Sequence, residues 1–187
     1  MTKKDSSRLG SSTFEQLFLE DRPLIDTRAP VEFQRGSFPS AVNIPLMTDD
    51  EREQVGICYK AQGERAATAL GHELVSGVVK EERITAWINQ VKRHANSALF
   101  CFRGGLRSQM VQDWLSSSGY QVPLVDGGYK ALRSYLLTSL EECLFELNLI
   151  VICGRTGVAK TALLNQADDT LRLPVIDLEG LAYHRGS

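Results

Sequence analysis

The run Cys101-Phe102-Arg103-Gly104-Gly105-Leu106-Arg107-Ser108 puts a thiol, two guanidinium groups and a glycine pair within eight residues. The cysteine closes the apolar run Ala98-Leu99-Phe100, and an amphipathic pattern (Met110, Val111, Trp114, Leu115) follows. This order predicts a strand, a glycine-rich loop and a helix. Such a layout turns backbone N–H groups and a helix N-terminus toward one spot. The dipole and the two arginines favour a thiolate there. The segment is therefore expected to cradle a doubly charged oxyanion over a nucleophile. Cys101 is the candidate catalytic residue, and Phe102, Arg103, Gly104, Gly105, Leu106 and Arg107 form the candidate anion-binding loop. One arginine would bind the anion and the other would fix the loop; the sequence does not say which. The ordinary alternative is a buried cysteine beside a surface turn, and the register of two arginines with a glycine pair argues against it.

A second loop of this type is Gly154-Arg155-Thr156-Gly157-Val158-Ala159-Lys160-Thr161, after the apolar run Leu149-Ile150-Val151-Ile152, which is expected to be a strand. It has a P-loop pattern, with Gly154, Gly157, Lys160 and Thr161 as candidate phosphate-binding residues. Lys160 would reach phosphate oxygens, and Thr161 could hold Mg²⁺ if a metal is used. The pattern is degenerate. Ala159 stands where a glycine is expected before the lysine, at a position whose backbone angles a Cβ resists. A strand, turn and helix with an incidental lysine is the plain alternative.

The rest of the chain must position these loops. Ser12-Thr13-Phe14-Glu15 has capping-box spacing ahead of a short helix with Phe14, Leu17 and Phe18 on one face. Strands are expected at Pro23–Asp26, Ala41–Ile44, before Cys101 and at Val122–Val125. Helices are expected at Ala66–Val75, around Ile84, Trp87, Ile88 and Val91, after the Cys101 loop, and from about Tyr129 to Leu147. Alternating strands and helices imply an α/β fold whose mainly parallel sheet has helices on both faces. Sites in such sheets lie at the carboxyl ends of strands, where Cys101 falls. One more strand, Pro174–Asp177, is expected after Thr161. Residues 1–141 thus read as one domain, and 142–187 as a linker helix with the start of an incomplete P-loop domain.

Composition bounds the function classes. The chain has 187 residues, 43% hydrophobic, and a net charge of −2. Nothing in that balance advertises nucleic-acid binding. Cys58, Cys101, Cys143 and Cys153 show neither close pairing nor metal-ligand spacing, so no metal site is expected and the thiols fit a reducing cytoplasm. No run reaches membrane length, and the polar first residues lack a signal-peptide core. Cys58 is expected to be a small buried thiol, Cys143 to pack within a helix and Cys153 to join a core.

Asp26-Thr27-Arg28, Glu32-Phe33, Gly36 to Ala41 and Asn43-Ile44-Pro45 resemble the N-terminal signature of rhodanese domains. Cys101–Ser108 occupies the place of their active-site loop, and Asp126-Gly127-Gly128-Tyr129 matches a later segment. Asp26 and Arg28 are expected to be a buried ion pair or a turn lock. More narrowly, Gly56 to Gly63, Leu70-Gly71-His72, Gly127 to Arg133 and Asp177 to Ser187 make the chain similar to the tRNA 2-selenouridine synthase family, in which a rhodanese domain precedes a P-loop domain. The resemblance implies a transferase that replaces the sulfur of wobble 2-thiouridine in tRNA with selenium. It implies selenophosphate, supplied by a selenophosphate synthetase, as donor. It also implies geranyl diphosphate, a geranylated 2-thiouridine intermediate, and Cys101 as the selenium carrier, with no tightly bound cofactor. His184 would line the nucleotide or diphosphate site. Two alternatives stay open. The count of five residues between Cys101 and Arg107 resembles dual-specificity phosphatases, while a rhodanese-type sulfurtransferase usually has four.

Overall fold

The computed structural model of the protein describes residues 7–155 and 157–181. The chain divides into two compact units, residues 1–142 and residues 143–187.

The first unit is built on five parallel strands: β1 (Arg8–Leu9), β2 (Leu24–Asp26), β3 (Ala41–Asn43), β4 (Ala98–Phe100) and β5 (Leu124–Val125). Their order is β1-β5-β4-β2-β3. Leu24 pairs with Ala98 and Asp26 with Phe100, so β2 and β4 end level with each other. Side chains alternate across the sheet as the strand period demands. Ile25, Leu99 and Leu124 enter one core with Trp87, Val111 and Leu115. Leu24, Phe100 and Val125 enter the other with Phe14, Leu17 and Leu132. The first core is covered by α3 (Asp49–Leu74), α4 (Gly77–Arg93) and α5 (Leu106–Ser117), and the second by α1 (Phe14–Leu19) and α6 (Gly128–Glu146). A short helix, α2 (Pro30–Gln34), follows β2. The expected parallel sheet with helices on both faces is what forms.

Several details differ from the sequence reading. Helix α1 starts on Thr13 with no side-chain cap; the Thr13 hydroxyl instead donates to the Gly10 carbonyl at 2.7 Å. Helix α3 begins far earlier than Ala66. Its start is fixed by a reciprocal cap in which Thr48 N–H donates to Glu51 and Glu51 N–H donates to the Thr48 hydroxyl. It is broken at Gly63, where φ is 82° and ψ is −177°.

The second unit holds α7 (Lys160–Leu171) and α8 (Leu178–Leu181). The strands expected at Leu149–Ile152 and Pro174–Asp177 are not formed. A parallel strand needs neighbours to bond its edges and cover both faces, and the described residues of this unit supply none. Ile150 is 92% exposed. Cys143 and Cys153 are exposed rather than packed, and Cys58 is half-buried. No helix among the described residues is long and apolar enough to cross a membrane.

Candidate active site

Cys101 emerges from the buried end of β4 and is itself buried. Its Sγ accepts a hydrogen bond from the fully buried Ser108 hydroxyl at 3.2 Å and lies 3.9 Å from the Gly105 carbonyl. The first two carbonyls of the loop are bonded to the start of α6. Tyr129 N–H donates to Cys101 O at 2.9 Å, and Lys130 N–H donates to Phe102 O at 3.1 Å. The N–H groups of Phe102, Arg103, Gly104 and Gly105 donate to no other described residue. These four donors in succession are followed by the N-terminus of α5, an arrangement with the capacity to meet an anion.

Backbone contact sets this loop. Gly104 has φ 64°, and a Cβ there would lie 2.7 Å from Val125 O. Gly128 has φ 56°, and its Cβ would lie 2.2 Å from Cys101 O and 2.5 Å from Gly104 N. The two glycines let the loop and the start of α6 touch main chain to main chain.

The arginines have separate roles. Arg107 donates to Glu32 at 2.6 and 3.2 Å, and Arg52 approaches the same carboxylate at 3.4 Å. Burial disfavours the charge on Glu32, but the Arg107 hydrogen bond and charge, the Ala29 N–H and Arg52 outweigh it and hold the carboxyl below its usual range. Burial likewise opposes the charge on Arg107; its bond to Glu32, then the charges of Glu32, Cys101 and Asp26, leave it above its ordinary value. Arg107 is thus the loop-fixing arginine. Arg103 is exposed and forms no ion pair among the described residues; its guanidinium lies 6.0 Å from the Phe102 ring centroid.

Asp26 and Arg28 form the expected buried pair, with contacts of 2.6 to 3.0 Å. Arg28 also donates to Gly36 O and stacks 3.9 Å from the Tyr129 ring centre. This ties the end of β2 to the residue whose N–H holds Cys101 O. Glu32 is the residue that sequence reasoning left without a role. Its place beside Phe33 gives no sign of a partner 75 positions away.

A cleft of about 770 Å³ opens over Cys101, between the loop and both halves of broken α3. Leu46, Met47, Val55, Val75 and Met110 give it an apolar wall, and Arg52, Lys60 and Arg103 are basic groups on its lining. No group of three or more His, Cys, Asp or Glu side chains able to hold a metal occurs among the described residues.

In the second unit, Lys160 Nζ donates to Gly154 O and Arg155 O at 3.1 and 3.3 Å. Gly157 has φ 83°, and Ala159 has φ 57° directly before α7. The four candidate phosphate-binding residues thus share one loop at a helix start, with Ala159 in the left-handed region. Thr156 and His184 lie outside the described residues.

A sequence profile of the Rhodanese-like domain matches residues 12–135, and one of the tRNA 2-selenouridine synthase AAA domain matches residues 147–187. The chain belongs to the rhodanese-like domain family. It is similar to a tRNA 2-selenouridine synthase of Pseudomonas fluorescens, 51% identical over 96% of this chain and 48% of the relative. It is also similar to one of Serratia proteamaculans, 54% identical over 93% of this chain and 45% of the relative. The narrower resemblance read from the motifs is therefore borne out by relatives bearing that name. The chain spans about half the length of the curated relatives it matches. Among solved structures, the N-terminal domain of a Clostridium difficile protein described as ATP/GTP binding is 30% identical with a TM-score of 0.59, covering 70% of this chain and 99% of that one.

Proposed function

We propose that this chain supplies the selenium-transferring site of a tRNA 2-selenouridine synthase, with Cys101 as nucleophile toward selenophosphate and a geranylated 2-thiouridine of tRNA as acceptor. The observation that carries the reading is the run of four unbonded N–H groups from Phe102 to Gly105 beside the Cys101 thiol. These donors suit the phosphoryl oxygens of the donor, and Arg103, in no ion pair among the described residues, adds positive charge. The apolar wall of the cleft suits a geranyl chain lying beside the reacting sulfur.

Attack of the Cys101 thiolate on selenium gives Cys–S–Se⁻ and expels phosphorus with the bonding pair, as phosphite. The selenium anion then adds to carbon 2 of the uridine and expels the geranylated sulfur as geranyl thiolate. A second thiol then attacks the Cys101 sulfur, which forms a disulfide with it, and the uridine selenolate leaves as 2-selenouridine; this route therefore consumes a thiol and a phosphorus–selenium bonding pair. A second reading is favoured by the five-residue spacing to Arg107 and the amide cradle. Attack on phosphorus gives Cys–S–PO₃²⁻ and frees selenide beside the acceptor. Selenide displaces the geranylated sulfur as geranyl thiolate, and water releases phosphate from Cys101. This route needs no change of oxidation state.

Mass spectrometry of the chain after incubation with selenophosphate tests both. An adduct on Cys101 is expected in the wild type, in Cys58→Ser, in Cys143→Ser and in Cys153→Ser, and none in Cys101→Ser. Selenium and phosphoryl adducts are nearly isobaric, so the isotope pattern of selenium decides which forms. An adduct that survives Cys101→Ser sinks the proposal. A sulfur adduct from thiosulfate without any from selenophosphate moves the chain to the sulfurtransferases. Sustained Cys101-dependent release of phosphate from an aryl ester moves it to the phosphatases.

A further inference from the structure

On the other side of the Cys101 loop lies a second groove, of about 530 Å³, lined by Phe102, Arg103, Tyr129, Lys130, Arg133 and Leu137 with Ser134. It gathers three cations and no carboxylate. None of the three forms an ion pair among the described residues, although Arg8, Arg28, Arg52, Arg83 and Arg107 all do. Lys130 and Arg133 stand in the first two turns of α6, which has no acidic residue in its first turn. Cations at a helix N-terminus are disfavoured by the dipole, so helix stability does not account for them. Lys130 and Arg133 are three apart and share one face.

The groove also has an aromatic component. The exposed Phe102 ring stacks on Tyr129, with centroids 6.0 Å apart and planes at 27°. Exposed aromatic rings beside unpaired cations are the features that bind single-stranded nucleic acid, phosphates on the charges and a base on the ring. Phe102 and Arg103 line both this groove and the cleft over Cys101. A strand lying in the groove would therefore pass one nucleotide across the loop toward the thiol.

We propose that this groove binds single-stranded RNA flanking the nucleotide presented to Cys101, with Lys130 and Arg133 on phosphates and Phe102 stacked on a neighbouring base. This rests on the reading that tRNA carries the acceptor. The net charge of −2 hides the surface because the patch is local, assembled from two segments of the chain.

The test is fluorescence anisotropy of the 187-residue chain with labelled tRNA across a salt titration, with oligouridylate and duplex DNA as competitors. K130Q/R133Q is expected to weaken binding about tenfold or more and to lower the salt slope by about two. K92Q/R93Q makes the same charge change at the far end of α4 and is expected to change affinity less than about twofold. F102A is expected to weaken oligouridylate binding with the slope unchanged. Circular dichroism melts check that each variant is folded; if K130Q/R133Q is unfolded, K130R/R133K, which keeps the charge and is expected to keep the slope, and each single substitution decide the matter. Equal loss in K130Q/R133Q and K92Q/R93Q overturns the proposal. So does duplex DNA competing as well as oligouridylate, or no binding by the wild type at low salt. The adduct on Cys101, read without RNA, separates the two ideas. An adduct with no groove effect overturns the groove alone; a groove effect with no adduct overturns the transfer reading alone.

Discussion

The chain carries two glycine-rich loops that each run into a helix, and they are held in different ways. The Cys101 loop leaves β4, which is buried between β5 and β2. The carbonyls of Cys101 and Phe102 are bonded by Tyr129 and Lys130, Gly104 touches Gly128 main chain to main chain, and the last arginine is clamped by Glu32. The Gly154 loop leaves a run that is not a strand, with Val151 79% exposed. Its lysine is spent on the loop's own carbonyls, and Ala159 sits at φ 57°. Glycines and a cation give both loops the capacity to meet an anion. Only the first has a sheet and a second helix that fix its donors before any anion arrives, and such preorganisation is what makes fixed dipoles effective.

The largest expected effect breaks that advantage. Gly128→Ala would place a Cβ 2.2 Å from Cys101 O at a positive φ. A backbone contact this short cannot be relieved by moving a side chain. The substitution should cost about 3 kcal/mol or more, read by urea unfolding, and abolish adduct formation at Cys101. Gly157→Ala, at φ 83° with nothing within 4 Å, should cost only the strain of the left-handed conformation, about 1–2 kcal/mol. Gly128→Ala unfolding within about 0.5 kcal/mol of the wild type would show that main-chain contact does not set the Cys101 loop.

A smaller effect sharpens the comparison at the Glu32–Arg107 clamp, which has no counterpart among the described residues of the second loop. Glu32 is held below the usual carboxylate range because Arg107 outweighs burial. A carboxyl depressed on folding contributes stability above its unfolded pKa and loses it as pH falls through its folded one. Glu32→Gln should therefore cost about 1–3 kcal/mol at neutral pH. The gap to the wild type should close as the wild-type carboxylate is protonated, at pH values under about 4. An equal gap at both ends of the pH range would mean that shape, and not charge, holds Arg107.

What the sequence revealed follows from how local each signal was. Leu24–Asp26, Ala98–Phe100 and the loop after Cys101 were legible because strand, glycines and helix are contiguous. The Asp26–Arg28 pair was legible because its partners are two residues apart. Arg8–Leu9 was not, since a two-residue edge strand has no period to detect. The first half of α3 was missed because its residues are mostly exposed and its apolar pattern is broken by Gly63. Glu32 and the basic groove come from segments brought together only by the sheet. Leu149–Ile152 misled in the other direction: an apolar run states a preference for strand, but pairing partners decide whether one forms.

The smallest effect concerns Ala159, and it tests whether the second loop is weak through its own sequence or through its surroundings. A non-glycine residue at φ 57° costs about 1–2 kcal/mol in backbone strain. Glycine removes that strain but gains freedom in the unfolded chain, which returns about 0.5–1 kcal/mol of it. Ala159→Gly should therefore stabilise the start of α7 by only about 0.5–1 kcal/mol. Hydrogen exchange should show slower amides from Lys160 to Leu163 in the variant, while Leu149–Ile152 stays unprotected in both chains, with or without geranyl diphosphate. Local strain and strand formation are then separate deficits. Strong protection of Leu149–Ile152 in the free wild type would sink this view, because it would mean that the apolar run is covered and its N–H groups are bonded. Protection gained there on Ala159→Gly alone would locate the whole deficit in one Cβ.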